Sequence, residues 1–144
     1  LLKIPLYGKR IARIRSVFIE RDDPKASLKA IKEGISYIED GFSLAIFPEG
    51  TRSKGPVPGP FQKGALKLAT KPGVPIIPVS LNGSYKMFEE KGYLTSANID
   101  IIIHEPIETK GLSRQEEKAL SDKVEKTVTE GVRKLAEEDA QRRS

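Results

Sequence analysis

The chain of 144 residues contains no cysteine and a single histidine, and aromatic residues make up only 6% of it. Without Cys there is no disulfide framework, no thiolate metal site and no Cys nucleophile, and the composition fits a reducing compartment. With one His and no Cys, a zinc site has too few ligands. No apolar run reaches the length of a transmembrane helix, and no signal peptide is visible. A G-x-S-x-G nucleophile elbow, a Walker A loop and a dinucleotide fingerprint are all lacking. So is any nucleic-acid recognition module, which the scarcity of aromatics also argues against.

Cationic excess is present but unevenly spread. The net charge of +5 resides entirely in residues 1–15, where Lys3, Lys9, Arg10, Arg13 and Arg15 face no acid; beyond them cations and anions balance. These cations alternate with Leu2, Ile4, Leu6, Tyr7, Ile11 and Ile14. Two readings fit: contact with an anionic membrane surface, or a packed helix with a solvated basic side.

The order of elements predicts a single α/β domain over 1–144, a mixed sheet flanked by helices. "SVFIER" (16–21) reads as a buried strand and "SLAIF" (43–47) as the next. Between them lies a helix capped by Asp23, opened by Pro24 and stopped at Gly41, with Leu28, Ile31, Ile35 and Ile38 on its core face. "QKGALKLAT" reads as a short helix. "GVPIIPVSL" is a strand made irregular by Pro75 and Pro78, and "NIDIIIHE" is a further strand. A long helix opens with a Ser113–Glu116 capping box, buries Leu120, Val124, Val128, Val132 and Leu135, and frays over "DAQRRS". Seven of the ten prolines lie between Pro48 and Pro78, which predicts rigid loops around a site.

Within that region "FPEGTRS" (47–53) follows an apolar run and precedes a loop rich in Gly and Pro. Strand ends opening into such loops are frequent ligand sites. Arg52 offers a planar fork that suits phosphate, Gly50 permits close backbone approach, and Thr51 adds a hydroxyl. Arg21 ends the first strand, and Lys63 precedes a helix start. Glu49 is expected to orient Arg52 or the ligand rather than touch an anion. The lone His104 reads as a strand-end residue with a satisfied ring. The acid pair Glu89–Glu90 reads as a solvated loop.

"FPEGTRS" resembles the signature of glycerolipid acyltransferases, specifically the bacterial 1-acyl-sn-glycerol-3-phosphate acyltransferases. "VFIER", "GVPIIPVSLNGS" and "LLKIPLYGK" resemble further blocks of that family, in the right order, from Leu1 to at least Ser84. The resemblance implies a glycerol-3-phosphate acyltransferase-like fold. It implies transfer of a fatty acyl group from a coenzyme A or acyl carrier protein thioester to the free hydroxyl of lysophosphatidate, giving phosphatidate, with no other cofactor and no metal. Carried over, Arg21, Glu49, Gly50, Thr51 and Arg52 hold the acceptor and its phosphate, and Pro78 shapes the pocket wall. Lys63 joins them on charge and position alone. The implied partners are lysophosphatidate, an anionic phospholipid surface and acyl carrier protein. The implied location is the cytoplasmic face of the cell membrane.

The family's catalytic H-x-x-x-x-D block has no counterpart here. The residue five after His104 is Thr109, and His104 lies downstream of every other block. A hydroxyl nucleophile needs a base, so the 144 residues by themselves are expected to be inactive and to belong to a longer protein that carries the block upstream. Glycerol 3-phosphate or another lysophospholipid is the alternative acceptor, and a non-catalytic module binding anionic lipid is the alternative to an enzyme.

If the opening segment faces a membrane, vesicle binding requires anionic lipid and weakens as salt rises. Replacing Arg10 and Arg13 by Gln weakens it further. Co-sedimentation checks this, and equal binding to neutral and anionic vesicles at low salt refutes it.

Overall fold

A computed structural model of the chain describes residues 17, 24–62 and 64–143. Apart from Val17, the expected strand over 16–21 lies outside the described residues, as do the Asp23 cap and the basic opening segment. The chain divides between Ala45 and Ile46 into two compact units.

In the first unit, helix α1 spans Pro24–Glu39. Proline at the first helical position sacrifices only an N–H that has no intrahelical partner. The buried stripe is centred on Ala30 and Gly34, with Ile31, Ile35 and Ile38 half-buried, while Leu28 is 48% exposed. The face is therefore turned from the expected one: burial is deepest at the two small residues, four apart on one side of the helix. The expected stop is present. Phe42 N donates to Tyr37 O and Gly41 N to Ile38 O, with Gly41 at φ 86°, a pattern that satisfies the last carbonyls.

Residues 42–47 form no ladder among the described residues, in contrast to the strand expected over 43–47. Exposure nevertheless alternates there: Leu44 and Ile46 are half-buried, and Ser43, Ala45 and Phe47 are exposed. The period of two that suggested a strand is present there, without ladder hydrogen bonds among the described residues.

The second unit carries a short helix α2 (Lys67–Thr70), strand β1 (Val79–Asn82), a 3-10 helix (Ser84–Met87), strand β2 (Asp100–Ile103) and a long helix α3 (Arg114–Arg143). β1 and β2 are antiparallel, with Val79 opposite Ile103 and Leu81 opposite Ile101. Pro78 has no N–H to donate, so the regular ladder begins only at Val79, and the pairing before it is a single Ile76–Ile107 bridge. Irregularity at the prolines is thus as expected.

α3 packs on both strands. Leu120, Val124, Val132 and Leu135 are buried along it. Leu66, Leu120 and Val124 form a core cluster that also holds Ile46, Phe61, Ile76, Ile107 and Leu112. Each buried side chain contributes roughly 1.5–3 kcal/mol. The exposed Lys126–Glu130 and Arg133–Glu137 pairs contribute at most about 0.5 kcal/mol each, so packing holds this helix in place. The capping box forms, with Ser113 N donating to Glu116 Oε2 at 2.7 Å and Glu116 N to Ser113 Oγ at 3.3 Å. Hydrogen bonds from the Ser113 side chain, and then from its backbone, hold the Glu116 carboxyl below its usual pKa. A depressed carboxyl stabilises the fold above its unfolded-state pKa, and the contribution is lost as pH falls through the folded value.

The expected fraying of "DAQRRS" does not occur before Arg143, where the described helix ends. Asp139 is buried against Lys86, and Arg142 pairs with Asp100. Ion pairs to distant residues order a terminus whose local sequence is polar.

α3 approaches β1 closely at Gly131, where a Cβ would lie 2.2 Å from Ser80 Oγ and 2.8 Å from His104 Nε2. The Ser80 hydroxyl is buried and donates to Val128 O at 2.8 Å, so at its 2.8 Å contact with His104 Nε2 it accepts, and Nε2 carries the proton. The ring of His104 is satisfied, as expected. In an ordinary helix interior Gly→Ala gains about 1 kcal/mol. Here overpacking dominates, and Gly131→Ala destabilises the protein by about 1–3 kcal/mol, readable as a lower urea midpoint at unchanged slope. A raised midpoint would contradict the close approach.

Candidate functional site

Residues 47–62 form a loop whose two ends meet. Gly50 N donates to Phe47 O at 2.9 Å, closing a tight turn in which Gly50 takes φ 66°. Gln62 N donates to Pro48 O at 2.8 Å, joining the far end to the near one. Gly50 thus supplies a backbone conformation that other residues adopt only with strain.

Inside the loop Glu49 is the organising group. Its carboxylate accepts from Gly59 N at 2.7 Å and from the Ser53 hydroxyl at 2.9 and 3.0 Å, and its carbonyl accepts from Gln62 Nε2 at 3.4 Å. Phe61 N reaches Glu125 Oε2 of α3 at 3.3 Å, which ties the loop to the helix. Its carboxylate is thus held by hydrogen bonds from one hydroxyl and one amide, and such charge-assisted bonds are about twice as strong as neutral ones.

With Glu49 turned inward, Thr51 and Arg52 are left exposed at the loop surface. Arg52 Nη1 meets Glu89 Oε1 at 2.7 Å; the arginine side chain is 76% exposed and the glutamate 17%. Among the described residues Arg52 is thus met by Glu89 and not by Glu49, which leaves orientation of the ligand as the expected role of Glu49, and Glu89 is not the solvated loop residue expected. Glu49 braces the loop, and the carboxylate that holds Arg52 is Glu89. Of the Glu89–Glu90 pair, only Glu90 is solvated as expected. An ion pair with one partner this exposed is worth about 0–1 kcal/mol, so the guanidinium can exchange its partner.

Glu49, Gly50, Thr51 and Arg52 are thus gathered in one loop. Pro78 is buried at the entry to β1, where its carbonyl accepts from His104 N at 3.0 Å. Arg21 and Lys63 lie outside the described residues. No sequence signal marks Ser53 and Gly59 as the partners of Glu49, or Glu89 as that of Arg52. These contacts depend on how the loop closes and on a pairing across 37 residues. Thr109 is buried, its hydroxyl donating to Val74 O at 2.7 Å, which makes it a packing residue of the second unit.

A family model described as Acyltransferase matches residues 1–82, which include the whole of this loop. The chain belongs to the acyltransferase family. The chloroplastic 1-acyl-sn-glycerol-3-phosphate acyltransferase BAT2 of Brassica napus is 38% identical over 106 residues, 72% of this chain and 31% of that protein. The 1-acyl-sn-glycerol-3-phosphate acyltransferase of Borreliella burgdorferi is 31% identical over 119 residues, 82% of this chain and 48% of that one. Among solved structures, the 1-acyl-sn-glycerophosphate (LPA) acyltransferase PlsC from Thermotoga maritima matches with a TM-score of 0.78 and 35% identity, over 94% of this chain and 54% of that chain. The chain therefore spans about a third to a half of the length of these curated relatives. The family resemblance and the α/β fold expected from the sequence are borne out. The structural likeness covers 94% of this chain and so extends past residue 82.

Removing the Glu49 carboxylate leaves the Gly59 amide without its acceptor. A lost charge-assisted bond is worth about 1.5–3 kcal/mol. Glu49→Ala is thus expected to speed hydrogen exchange at Gly59 by about tenfold or more, and Glu49→Gln by less because its carbonyl still accepts. Unchanged exchange in Glu49→Ala would mean that the loop is held elsewhere.

Proposed function

We propose that this chain holds the acceptor-phosphate site of a 1-acyl-sn-glycerol-3-phosphate acyltransferase of phospholipid synthesis. The acyl group passes from a coenzyme A or acyl carrier protein thioester to the free hydroxyl of lysophosphatidate, and phosphatidate is the product. The observation that carries this reading is the exposed Arg52 guanidinium on a loop braced from within by Glu49, in a chain of the acyltransferase family. A loop braced from within and presenting the exposed cations Arg52 and Lys54 suits a ligand that arrives with its own negative charge.

In this reading Arg52 is the main side-chain ligand of the phosphate. Its fork donates to two oxygens at once, which a lysine ammonium cannot do. Thr51 and the backbone around Gly50 contact other oxygens without adding charge. Arg21 and Lys63 supply further positive charge, and Pro78 forms part of the pocket wall. The general base that removes the hydroxyl proton belongs to an H-x-x-x-x-D block of the whole protein. Lysophosphatidate is itself a lipid, so the site works at an anionic phospholipid surface, on the cytoplasmic face of the cell membrane. Among the described residues no helix is long and apolar enough to cross a membrane, which is compatible with peripheral contact by this part of the protein.

The test is Arg52→Lys in the full-length protein. Charge survives and two-point contact does not, so kcat/KM for the acceptor falls about tenfold to a hundredfold, the equivalent of roughly 1.5–3 kcal/mol. Apparent affinity for the acyl donor changes much less. Steady-state kinetics with each substrate varied in turn decides it, and damage confined to donor use would overturn the assignment.

A further inference from the structure

The turn that follows the 3-10 helix presents large apolar side chains to solvent: Met87 is 39% exposed, Phe88 42%, Tyr93 62% and Leu94 78%. We propose that this turn, residues 87–95, is a membrane contact separate from the basic opening segment, and that its tip at Tyr93 and Leu94 inserts into the interfacial layer of a phospholipid bilayer beside the phosphate site. The insertion is read from the turn itself. Its purpose, delivery of a lipid acceptor, rests on the proposed function.

Backbone closure fits the turn for that medium. Gly92 N donates to Phe88 O at 2.7 Å, with Gly92 at φ 74°, and Thr95 N donates to Met87 O at 2.9 Å. The amides of Glu89 and Glu90 both donate to Tyr85 O, at 2.8 and 3.2 Å. Amides that already have acceptors cost less to take out of bulk water. The base of the turn is fixed to α3 by the Lys86–Asp139 pair, whose side chains are 13% and 11% exposed. A turn held in this way presents Tyr93 and Leu94 with little further ordering on binding.

The side chains at the tip select the partner. Leucine offers apolar area alone. Tyrosine adds a ring whose hydroxyl stays wet, the amphipathic shape enriched where hydrocarbon meets headgroups. Lys91, exposed beside the tip, can lay its stem along acyl chains and keep its ammonium among phosphates; it also offsets the exposed acid Glu90. The neighbouring loop adds Arg52 and Lys54, both exposed, and the contact of Arg52 Nη1 with Glu89 Oε1 at 2.7 Å joins the two loops. Apolar tip, flanking cations and phosphate ligand therefore lie on adjoining loops. With the tip inserted, a lysophosphatidate meets Arg52 while its acyl chain stays in the leaflet.

The experiment labels the full-length protein with an environment-sensitive fluorophore at Leu94→Cys; the 144 residues contribute no competing cysteine. Phosphatidylcholine vesicles are added, with and without lipid that carries a spin-label quencher in its acyl chain. The label at 94 shifts to the blue on vesicles and is quenched by the spin-labelled lipid. The same label at Lys126→Cys, exposed on α3, does neither. Because the contact is apolar, raised salt leaves the shift in place. A label at 94 that stays in water when vesicles are present overturns the proposal, as does equal quenching at 126. So does a label at 94 that is already in an apolar environment before vesicles are added, which would put another part of the whole protein, or a second copy, on the turn. Kinetics test the role in delivery. Leu94→Ser raises the apparent KM for lysophosphatidate carried in vesicles about tenfold, the equivalent of one leucine withdrawn from an apolar medium, and spares a short-chain, water-soluble acceptor. An unchanged KM, or an equal loss with both acceptors, overturns that role. If the label at 94 is quenched and the protein acylates no lysophosphatidate, the acceptor reading fails while the membrane contact stands.

Discussion

The close contact between α3 and β1 at Gly131 underlies the second unit. Absence of a side chain there lets the buried Ser80 hydroxyl reach Val128 O and leaves room for the His104 ring. Two polar groups that would be costly to bury alone satisfy each other and a helix carbonyl. With the helix seated at that point, its other contacts follow along its length. Leu120 and Val124 meet Leu66, Glu125 meets the Phe61 amide, and Asp139 meets Lys86.

These contacts reach the loop from two directions. Through Phe61 the helix holds the end of the 47–62 loop, and through Lys86 it holds the 3-10 helix that carries the chain toward Glu89. The loop adds its own bracing at Glu49. What stays loose is the Arg52 side chain, tethered by one exchangeable ion pair. A backbone held by such contacts lowers the ordering cost of binding while leaving the Arg52 contact able to change partner.

The packing also sorts acids by role in a way that charge alone does not foretell. Glu49 is spent on the Ser53 hydroxyl and the Gly59 amide, Glu89 on a cation, and Glu116 on a helix start, with partners that lie four and ten residues away, 37 residues away, and three residues away in turn. Carboxylates of similar intrinsic chemistry acquire separate functions because each meets a different set of donors.

Features that depend on near neighbours or on a family-wide pattern were legible in the amino-acid order. The α1 stop at Gly41, the Ser113–Glu116 cap and the buried stripe of α3 were legible because helix chemistry repeats over three to four residues. The irregular pairing beside Pro75 and Pro78 was legible because a missing N–H is a local fact. "FPEGTRS" marked both the family and the loop. Tertiary structure alone decided the contact of Glu49 with Gly59, the partners of Arg52 and Asp139, the turn of α1 toward Ala30 and Gly34, and the order at the end of α3. The ion pairs among these rest on a group brought in from elsewhere in the chain. Periodicity shows which residues seek a partner, and only the closed chain decides which partner each one meets.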